Sequence, residues 1–161
     1  MKRFGLALVL AGLLAAAAAP AALGCTTRFA VYDKETTVAV VSPGVTTQNG
    51  SVISVRRMVQ TSADASTSAF VTGTSTAVVN LDLDLATGNG KIWGAEVKRP
   101  TAYPHGSWQC HFSGTFVSGT WTGKGSCDGI GSLRGWRYTA DLAQVDPFVV
   151  ATGHVFRAGN W

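Results

Sequence analysis

The stretch 107–127, SWQCHFSGTFVSGTWTGKGSC, decides the fold, because it specifies one β-hairpin in one register. A two-residue turn at Ser118-Gly119 brings Cys110 directly opposite Cys127. Counting outward from the turn makes this a non-hydrogen-bonded pair, in which the two Cα atoms lie within about 4.5 Å. That separation is at the short end of disulfide geometry. The hairpin therefore predicts a disulfide between Cys110 and Cys127.

The same register separates the hairpin into an apolar and a polar face, as expected for a sheet with one buried side. The apolar face also contains three glycines, and its larger members are Cys110, Phe112, Phe116, Trp121 and Cys127. The polar face contains His111, Ser113, Thr115, Thr122, Lys124 and Ser126. The turn, the cysteine pair and the two faces agree on one register.

Outside this hairpin, short alternating segments separated by turn residues recur along the chain, which is rich in Gly, Thr, Val and Ser. They predict strands at 28–32, 36–41, 51–60, 70–85, 91–98, 107–116, 119–127, 133–142 and 148–156. The charged triplet Asp33-Lys34-Glu35 is interpreted as a turn, and the small polar segment 61–68 as a loop. Eight or nine strands with turns every 8–12 residues indicate an all-β domain, and we predict a small antiparallel barrel of about eight strands.

A second hairpin is predicted around the turn Gly88-Asn89-Gly90, where a three-residue loop would place the leucines before it and Trp93 after it on one face. In that register Asp82 lies nearly opposite Glu96. Two carboxylates can share a proton or bind Ca²⁺. The alternative is an outer, solvated face on which nearby lysines, Lys91 and Lys98, offset the negative charge.

The glycine-rich segment after the first hairpin carries a resemblance to a known family. Gly123-Lys124-Gly125 is followed by Gly129-Ile130-Gly131-Ser132-Leu133-Arg134-Gly135. This segment resembles the Gly-x-Gly-x-Leu-x-Gly signature of small barrels of the allene-oxide-cyclase and dirigent type, over about 30 residues of the chain. The resemblance implies an eight-stranded barrel with an apolar cavity, in a family where some members guide cyclisation or coupling. It transfers no catalytic residue.

Four residues are candidates for binding a ligand in such a barrel: Trp121, Arg134, Trp136 and Tyr138. Arg134 shares strand parity with Trp136 and Tyr138, so it could hold a carboxylate or an enolate at the mouth of an apolar cavity. The alternative interpretation places the tryptophans in the core and lets the Arg134 side chain reach solvent from a strand end.

The sequence gives little support for a metal site, a catalytic serine, a phosphate-binding loop or a nucleic-acid interface. The three histidines, His105, His111 and His154, are scattered and form no metal-binding pattern, so we predict no metal site and no cofactor. The chain has no Gly-x-Ser-x-Gly segment and no phosphate-binding loop before a helix. Basic residues occur as isolated pairs, Arg56-Arg57 and Lys98-Arg99, so nucleic acid is not an expected partner.

The first 24 residues have the layout of a secretory signal peptide. A basic start is followed by an apolar run of about 16 residues and a small-residue cleavage region, and an uncleaved membrane anchor would need about 20 apolar residues. Removing 24 of the 161 residues leaves 137, with 11 basic and 9 acidic residues, because Lys2 and Arg3 leave with the signal. This size is sufficient for one domain with its own core.

Cys25 follows the cleavage region directly, and two interpretations of it remain open. Ordinary signal peptidase would leave it as the first mature residue, while a bacterial lipobox would lead to its lipidation. Three cysteines leave one unpaired, which favours lipidation of Cys25 and pairing of Cys110 with Cys127. We therefore expect an outer-membrane lipoprotein, or otherwise a periplasmic or secreted protein.

The predicted organisation is a signal peptide at 1–24, a Thr-rich segment with one or two strands at 25–50 and a β-barrel domain at 51–161. The leading functional hypothesis is a non-enzymatic envelope protein that binds a small apolar or amphipathic ligand in the barrel or serves as a scaffold. The alternatives are a cavity enzyme of the cyclase or isomerase type, with Arg134 and Tyr138 orienting the substrate, and a protein-interaction module without a cavity. A filled interior with an exposed apolar patch would favour the last of these.

Overall fold

The computed structural model describes residues 27–158, which form nine strands and no helix, and therefore none long and apolar enough to cross a membrane. The predicted all-β class is confirmed. The strands are β1 (Arg28–Ser42), β2 (Val45–Asn49), β3 (Val52–Ser66), β4 (Gly73–Asp84), β5 (Asn89–Pro100), β6 (Gly106–Val117), β7 (Thr120–Gly131), β8 (Trp136–Val145) and β9 (Phe148–Arg157).

Eight of the strands close into an antiparallel barrel. Strands β3 to β9 pair in chain order, and β1 lies between β9 and β3, so that it closes the ring. The ninth strand, β2, pairs with β3 alone. The segment set apart at 25–50 thus supplies β1 and β2, and β1 belongs to the same barrel as the strands after residue 51.

The first hairpin is confirmed in its predicted register. Val117 pairs with Thr120, and Cys110 pairs with Cys127. The two cysteines form a disulfide with a Cα–Cα distance of 4.0 Å. Their strands present the predicted apolar face to the barrel interior, where Trp121 and both cysteines are buried.

The predicted register of the second hairpin is wrong. Asp84 pairs with Asn89 across a four-residue connection, so Glu96 pairs with Ala77, and Asp82 pairs with Lys91. A shift of one residue moves a whole strand face to the other side of the sheet. Glu96 therefore points into the barrel, while Asp82 lies on the outside and forms an ion pair with Arg56 at 2.7 Å.

Strands β1 and β3 are longer than predicted. Asp33, Lys34 and Glu35 form no turn, because each pairs with a residue of β9 and with a residue of β3. Residues 61–66 continue β3 and pair with β1 on one side, and those up to Asp64 also pair with β4 on the other. Pairing on both sides satisfies the backbone hydrogen-bonding groups, which outweighs the local turn preference of the charged and polar residues.

Packed side chains fill the interior in two apolar clusters. The first includes Val31, Val71, Trp108, Leu133 and Val155 near the end of the barrel where β1 begins, and the second includes Ala77, Val79, Ile92 and Trp121 toward the opposite end. Gly94 leaves space in the second cluster for the ring of Phe112 on the neighbouring strand, because a Cβ atom at Gly94 would lie 2.5 Å from that ring.

Stacked aromatic rings cover the barrel end where β1 begins. Phe70 lies 4.9 Å from Tyr103 and 4.9 Å from Trp136 between ring centroids, and Phe29 stacks on Phe70 at 5.5 Å. The indole nitrogen of Trp108 donates a hydrogen bond of 2.7 Å to the carbonyl of Phe70. This end is consequently closed by side chains.

Candidate functional site

The most unusual feature of the interior is a buried lysine surrounded by four carboxylates. Lys98 Nζ lies 2.8 Å from Asp64 Oδ1, 3.2 Å from Glu35 Oε2, 3.3 Å from Glu96 Oε1 and 3.6 Å from Asp33 Oδ2. The lysine side chain is 5% exposed, and the side chains of Asp33 and Asp64 are fully buried. We call these five residues the Lys98 cluster.

Three strands position the cluster: β1 and β3, which pair with each other, and β5, which β4 separates from β3. Asp33 and Glu35 lie two residues apart on β1, and Glu96 and Lys98 lie two residues apart on β5, so each pair points to one face of its strand. Asp64 on β3 pairs with Glu35 across the β1–β3 seam. The interior thus has a charged wall, which the sequence analysis missed, and the i, i+2 spacing of the two charged pairs was the signal for it.

Burial controls the charge state of these groups. Burial raises the pKa of Asp33 to about 6 and that of Glu96 to about 7, and it also raises the pKa of Asp64, with Lys98 opposing the shift in each case. Burial by itself would lower the pKa of Lys98, but the four nearby carboxylates, Glu96 foremost, raise it well above its ordinary value. The lysine therefore stays charged while the carboxylates compete for protons.

Among the described residues, several buried polar atoms around Lys98 have no partner in hydrogen-bond geometry, including two that lie near Lys98 Nζ as ion pairs. They are Asp33 Oδ1 and Oδ2, Asp64 Oδ2, Glu96 Oε1 and the hydroxyl of Tyr138. Tyr138 reaches this region from β8, and burial, followed by the negative charge of Asp33, raises its pKa. Buried polar groups are almost always paired, so these oxygens, concentrated in one place, are suited to contact a bound ligand.

Oxygen atoms of Glu35, Asp64 and Glu96 lie within 4.8 Å of one another, close enough to share a metal ion. All are hard carboxylate ligands, which suit Ca²⁺ or Mg²⁺ better than the softer transition metals. The sequence analysis predicted no metal, and the pair that it weighed for Ca²⁺, Asp82 with Glu96, is separated by the sheet.

Chemically, the cluster can hold protons and cations. A carboxylic acid that keeps its proton near neutral pH can serve as a general acid when it contacts a substrate. Here the five side chains are at most 15% exposed, with Glu35 the most accessible, so the cluster offers little surface to an organic substrate. The arrangement fits a small ion better than a reacting molecule.

The structure does not gather the four predicted ligand residues around one point. Tyr138 belongs to the first apolar cluster, with Trp136 packed against it, whereas Trp121 belongs to the second. Arg134 does not share a strand with Trp136, as the parity argument assumed, because it lies exposed in the turn between β7 and β8. Ligand binding by these residues stays a prediction. Cys25 and the signal segment 1–24 lie outside the described residues.

A shallow groove crosses the outer wall of the barrel over β4 to β9. Its polar lining includes His111, Lys124, Asp141 and His154, and His154 Nδ1 lies 3.1 Å from a guanidinium nitrogen of Arg28. The ion pair between Lys124 and Asp141 is largely solvated, at 85% and 77% exposure, and such pairs contribute little. The groove therefore lacks a buried polar group that would fix a ligand.

A free strand edge is the second feature of functional interest. Strand β1 pairs with β9 only as far as Glu35. Within residues 27–158, its continuation from Thr36 to Ser42 pairs on one side alone, with β3. Beyond Pro43-Gly44, β2 continues along β3 and also lacks a second neighbour among the described residues. We call residues 36–49 the free edge.

Apolar side chains of the free edge are open to solvent. Val38 is 68% exposed, Val40 54%, Val41 65% and Val45 66%. The two neighbours Val40 and Val41 point to opposite faces of the strand, so the ribbon is solvated on both faces. An exposed, uncovered apolar strand edge is a template for pairing with another chain.

No protein-family model matches the chain, and no match to it was found among curated proteins. The functional argument consequently depends on the geometry of the Lys98 cluster and of the free edge.

Proposed function

We propose that this chain is an exported, non-enzymatic envelope module that acts by association, and that its free edge pairs with the free edge of a second copy. One observation carries the proposal: residues 36–49 form a long, uncovered strand edge with exposed valines on both faces. Main-chain hydrogen bonds across paired edges supply affinity, and the flanking side chains supply specificity.

The uncharged composition of the free edge favours a second copy of the chain, rather than an unrelated protein, as its partner. Residues 36–55 contain no charged side chain, although natural edges are commonly protected by charges, especially lysine. When two copies of one strand pair about a two-fold axis, equivalent residues near the axis face each other, so a charge there would meet its own sign. An uncharged edge avoids that repulsion, so the free edges of two copies can pair with each other.

The fold also limits the size of the assembly. Barrel closure leaves no other long strand edge among residues 27–158, since each remaining strand is paired on both sides over most of its length. One free edge per chain allows a closed two-fold dimer rather than a filament. Pro43, which has no N–H group, and Gly44, with φ of 71°, interrupt the edge and restrict continuous pairing to the segments on either side.

The packed interior favours association over binding of an apolar ligand within the barrel. Trp121 and Tyr138 lie in two separate apolar clusters, and aromatic rings cover the end where β1 begins. A cyclase-type enzyme would need a substrate cavity beside Tyr138, and Arg134 points away from the interior in its turn. Catalysis of that type is for these reasons the less favoured function.

Export is supported by the signal-like sequence and by the Cys110–Cys127 disulfide, because disulfides persist mainly in oxidising compartments. A lipid on Cys25 would tether the chain three residues before β1 begins, at the end covered by aromatic rings. Strand β1 runs away from that end for 15 residues, or about 45 Å. Such an anchor would hold the free edge away from the membrane and available for pairing.

Sedimentation velocity of the exported, mature protein tests the proposal. The protein carries Cys25→Ser, so that neither a lipid nor an intermolecular disulfide can contribute to association. We expect a concentration-dependent dimer. The double variant Val38→Lys/Val40→Lys, which adds two charges to the free edge, is expected to sediment as a monomer.

The matched control is Val117→Lys, because Val117 is 65% exposed and lies at the end of β6, away from the free edge. This variant is expected to dimerise like the parent. A parent protein that stays monomeric across the concentration series, or a Val38→Lys/Val40→Lys variant that dimerises as strongly as the parent, would overturn the proposal.

A further inference from the structure

The Lys98 cluster contains more negative charge than its lysine can balance. Four carboxylates face one ammonium group, which leaves three uncompensated negative charges when all are ionised. No second lysine or arginine within residues 27–158 forms an ion pair with any of the four carboxylates. An uncompensated charge is expensive in a buried environment, so the cluster favours an additional cation.

The oxygens left over after Lys98 is satisfied lie beside one another. Lys98 forms a hydrogen bond with Asp64 Oδ1, which leaves Oδ2 of the same carboxylate unpaired. Both oxygens of Asp33, which is 0% exposed, are also unpaired, although Oδ2 is only 3.6 Å from Lys98 Nζ. These oxygens form a second layer of acceptors around the ammonium group.

Tyr138 provides an independent indication of a ligand. Its hydroxyl has no partner, and the residue is 3% exposed, so water of the bulk solvent does not satisfy it. It comes from β8, on the wall of the barrel across from β3 to β5, although β9 alone separates β8 from β1. An ion between the two walls would be contacted by oxygen atoms from both.

We propose that Glu35, Asp64 and Glu96 bind one Ca²⁺ ion next to Lys98, with the unpaired oxygens of Asp33 and Tyr138 in the surrounding layer. The donor set contains only hard oxygen atoms, as Ca²⁺ prefers. The 4.8 Å limit on the separation of the Glu35, Asp64 and Glu96 ligand atoms equals about twice a Ca²⁺–oxygen bond. One such ion reduces the uncompensated charge of the cluster from three to one.

The neighbouring ammonium of Lys98 weakens the site by repulsion. We therefore expect an affinity in the range of extracellular calcium modules, with Kd on the order of 10⁻⁴–10⁻³ M. An ion can approach along Glu35, whose side chain is the most exposed of the cluster. This inference is independent of pairing through the free edge, because the cluster lies inside the barrel.

Thermal unfolding of the mature, disulfide-bonded protein with chelator or with Ca²⁺ tests the site. At a Ca²⁺ concentration ten times the Kd, Tm is expected to rise by about 4 °C. Glu35→Gln removes the charge of one ligand at the most exposed position of the cluster, and its amide oxygen can still accept the hydrogen bond from Lys98 Nζ. This variant is expected to fold and to lose the Ca²⁺-dependent rise in Tm.

Asp141→Asn is the matched control, because Asp141 is exposed and forms its ion pair with the solvated Lys124. It should retain the full rise. The proposal is overturned if Ca²⁺ leaves the parent's Tm unchanged. It is also overturned if Glu35→Gln responds like Asp141→Asn, which would indicate adventitious surface binding, or if Mg²⁺ gives an equal rise, which would exclude a calcium-sized site.

Discussion

Lys98 Nζ on β5 lies 2.8 Å from Asp64 Oδ1 on β3, and the two side chains are 5% and 0% exposed. The two residues belong to strands that are not neighbours, because β4 lies between them in the sheet. Their contact therefore spans the curvature of the barrel wall. It joins strands from the first and middle thirds of the described chain.

Replacing the buried lysine should be strongly destabilising. Lys98→Met leaves four buried carboxylates without their shared cation, and breaking a buried ion pair in this way typically costs about 3–5 kcal/mol. Lys91→Met, at an exposed position of the same strand, should change stability by less than about 0.5 kcal/mol. Urea unfolding of both variants in chelator measures the difference, and equal stabilities would contradict the role assigned to Lys98.

Removing the Tyr138 hydroxyl should stabilise the protein in the absence of Ca²⁺. The hydroxyl is buried without a hydrogen-bond partner, and such a group costs about 1–3 kcal/mol. Tyr138→Phe is therefore expected to raise the unfolding free energy in chelator by about 1 kcal/mol. Tyr32→Phe, at an exposed residue, is the control and should be neutral. A large loss of stability in Tyr138→Phe would show that the hydroxyl already has a partner.

Loss of the disulfide should destabilise the barrel. The Cys110–Cys127 bond spans a sequence separation of 17 residues, and native disulfides contribute about 2–4 kcal/mol. Cys110→Ser is expected to lower the unfolding free energy by this amount in denaturant titrations. Mass spectrometry of the parent before and after reduction checks the premise, which fails if both thiols are free in the exported protein.

Two glycines of the barrel wall should differ in their tolerance of alanine. A Cβ atom on Gly153 would lie 1.9 Å from the backbone oxygen of Thr139, which cannot move without disturbing the β8–β9 pairing. At Gly125 the nearest atom is the end of the Leu142 side chain, at 3.5 Å. Gly153→Ala should lower stability by about 1–3 kcal/mol and Gly125→Ala by less than about 0.5 kcal/mol, as thermal unfolding would measure. Equal effects would contradict the close strand packing.

The β6–β7 hairpin was predictable because its information is local. A two-residue turn, a cysteine pair and the alternation of side chains all lie within 21 residues, and each specifies the register independently. For the second hairpin, the register was predicted from the position of its glycines alone, which is a weak indication. A connection one residue longer than assumed moved Glu96 and Lys98 from the outer face to the interior.

The Lys98 cluster was not predictable from local patterns, because it is assembled by long-range pairing. Asp33 and Glu35 resemble a turn when considered alone, and they become strand residues only because β1 lies between β3 and β9. The sequence contained an indication in the two charged pairs with i, i+2 spacing. That spacing predicts a shared face, but it does not show which face is buried.

The most direct test of pairing through the free edge is amide hydrogen exchange across a dilution series of the mature Cys25→Ser protein. If the free edges of two copies pair, amides within Thr36–Ser42 or Val45–Asn49 are protected at high concentration and exchange rapidly on dilution. Amides of β6 and β7, which are paired within the barrel, should show no such dependence. Exchange of the free edge at the same rate at every concentration would contradict the account.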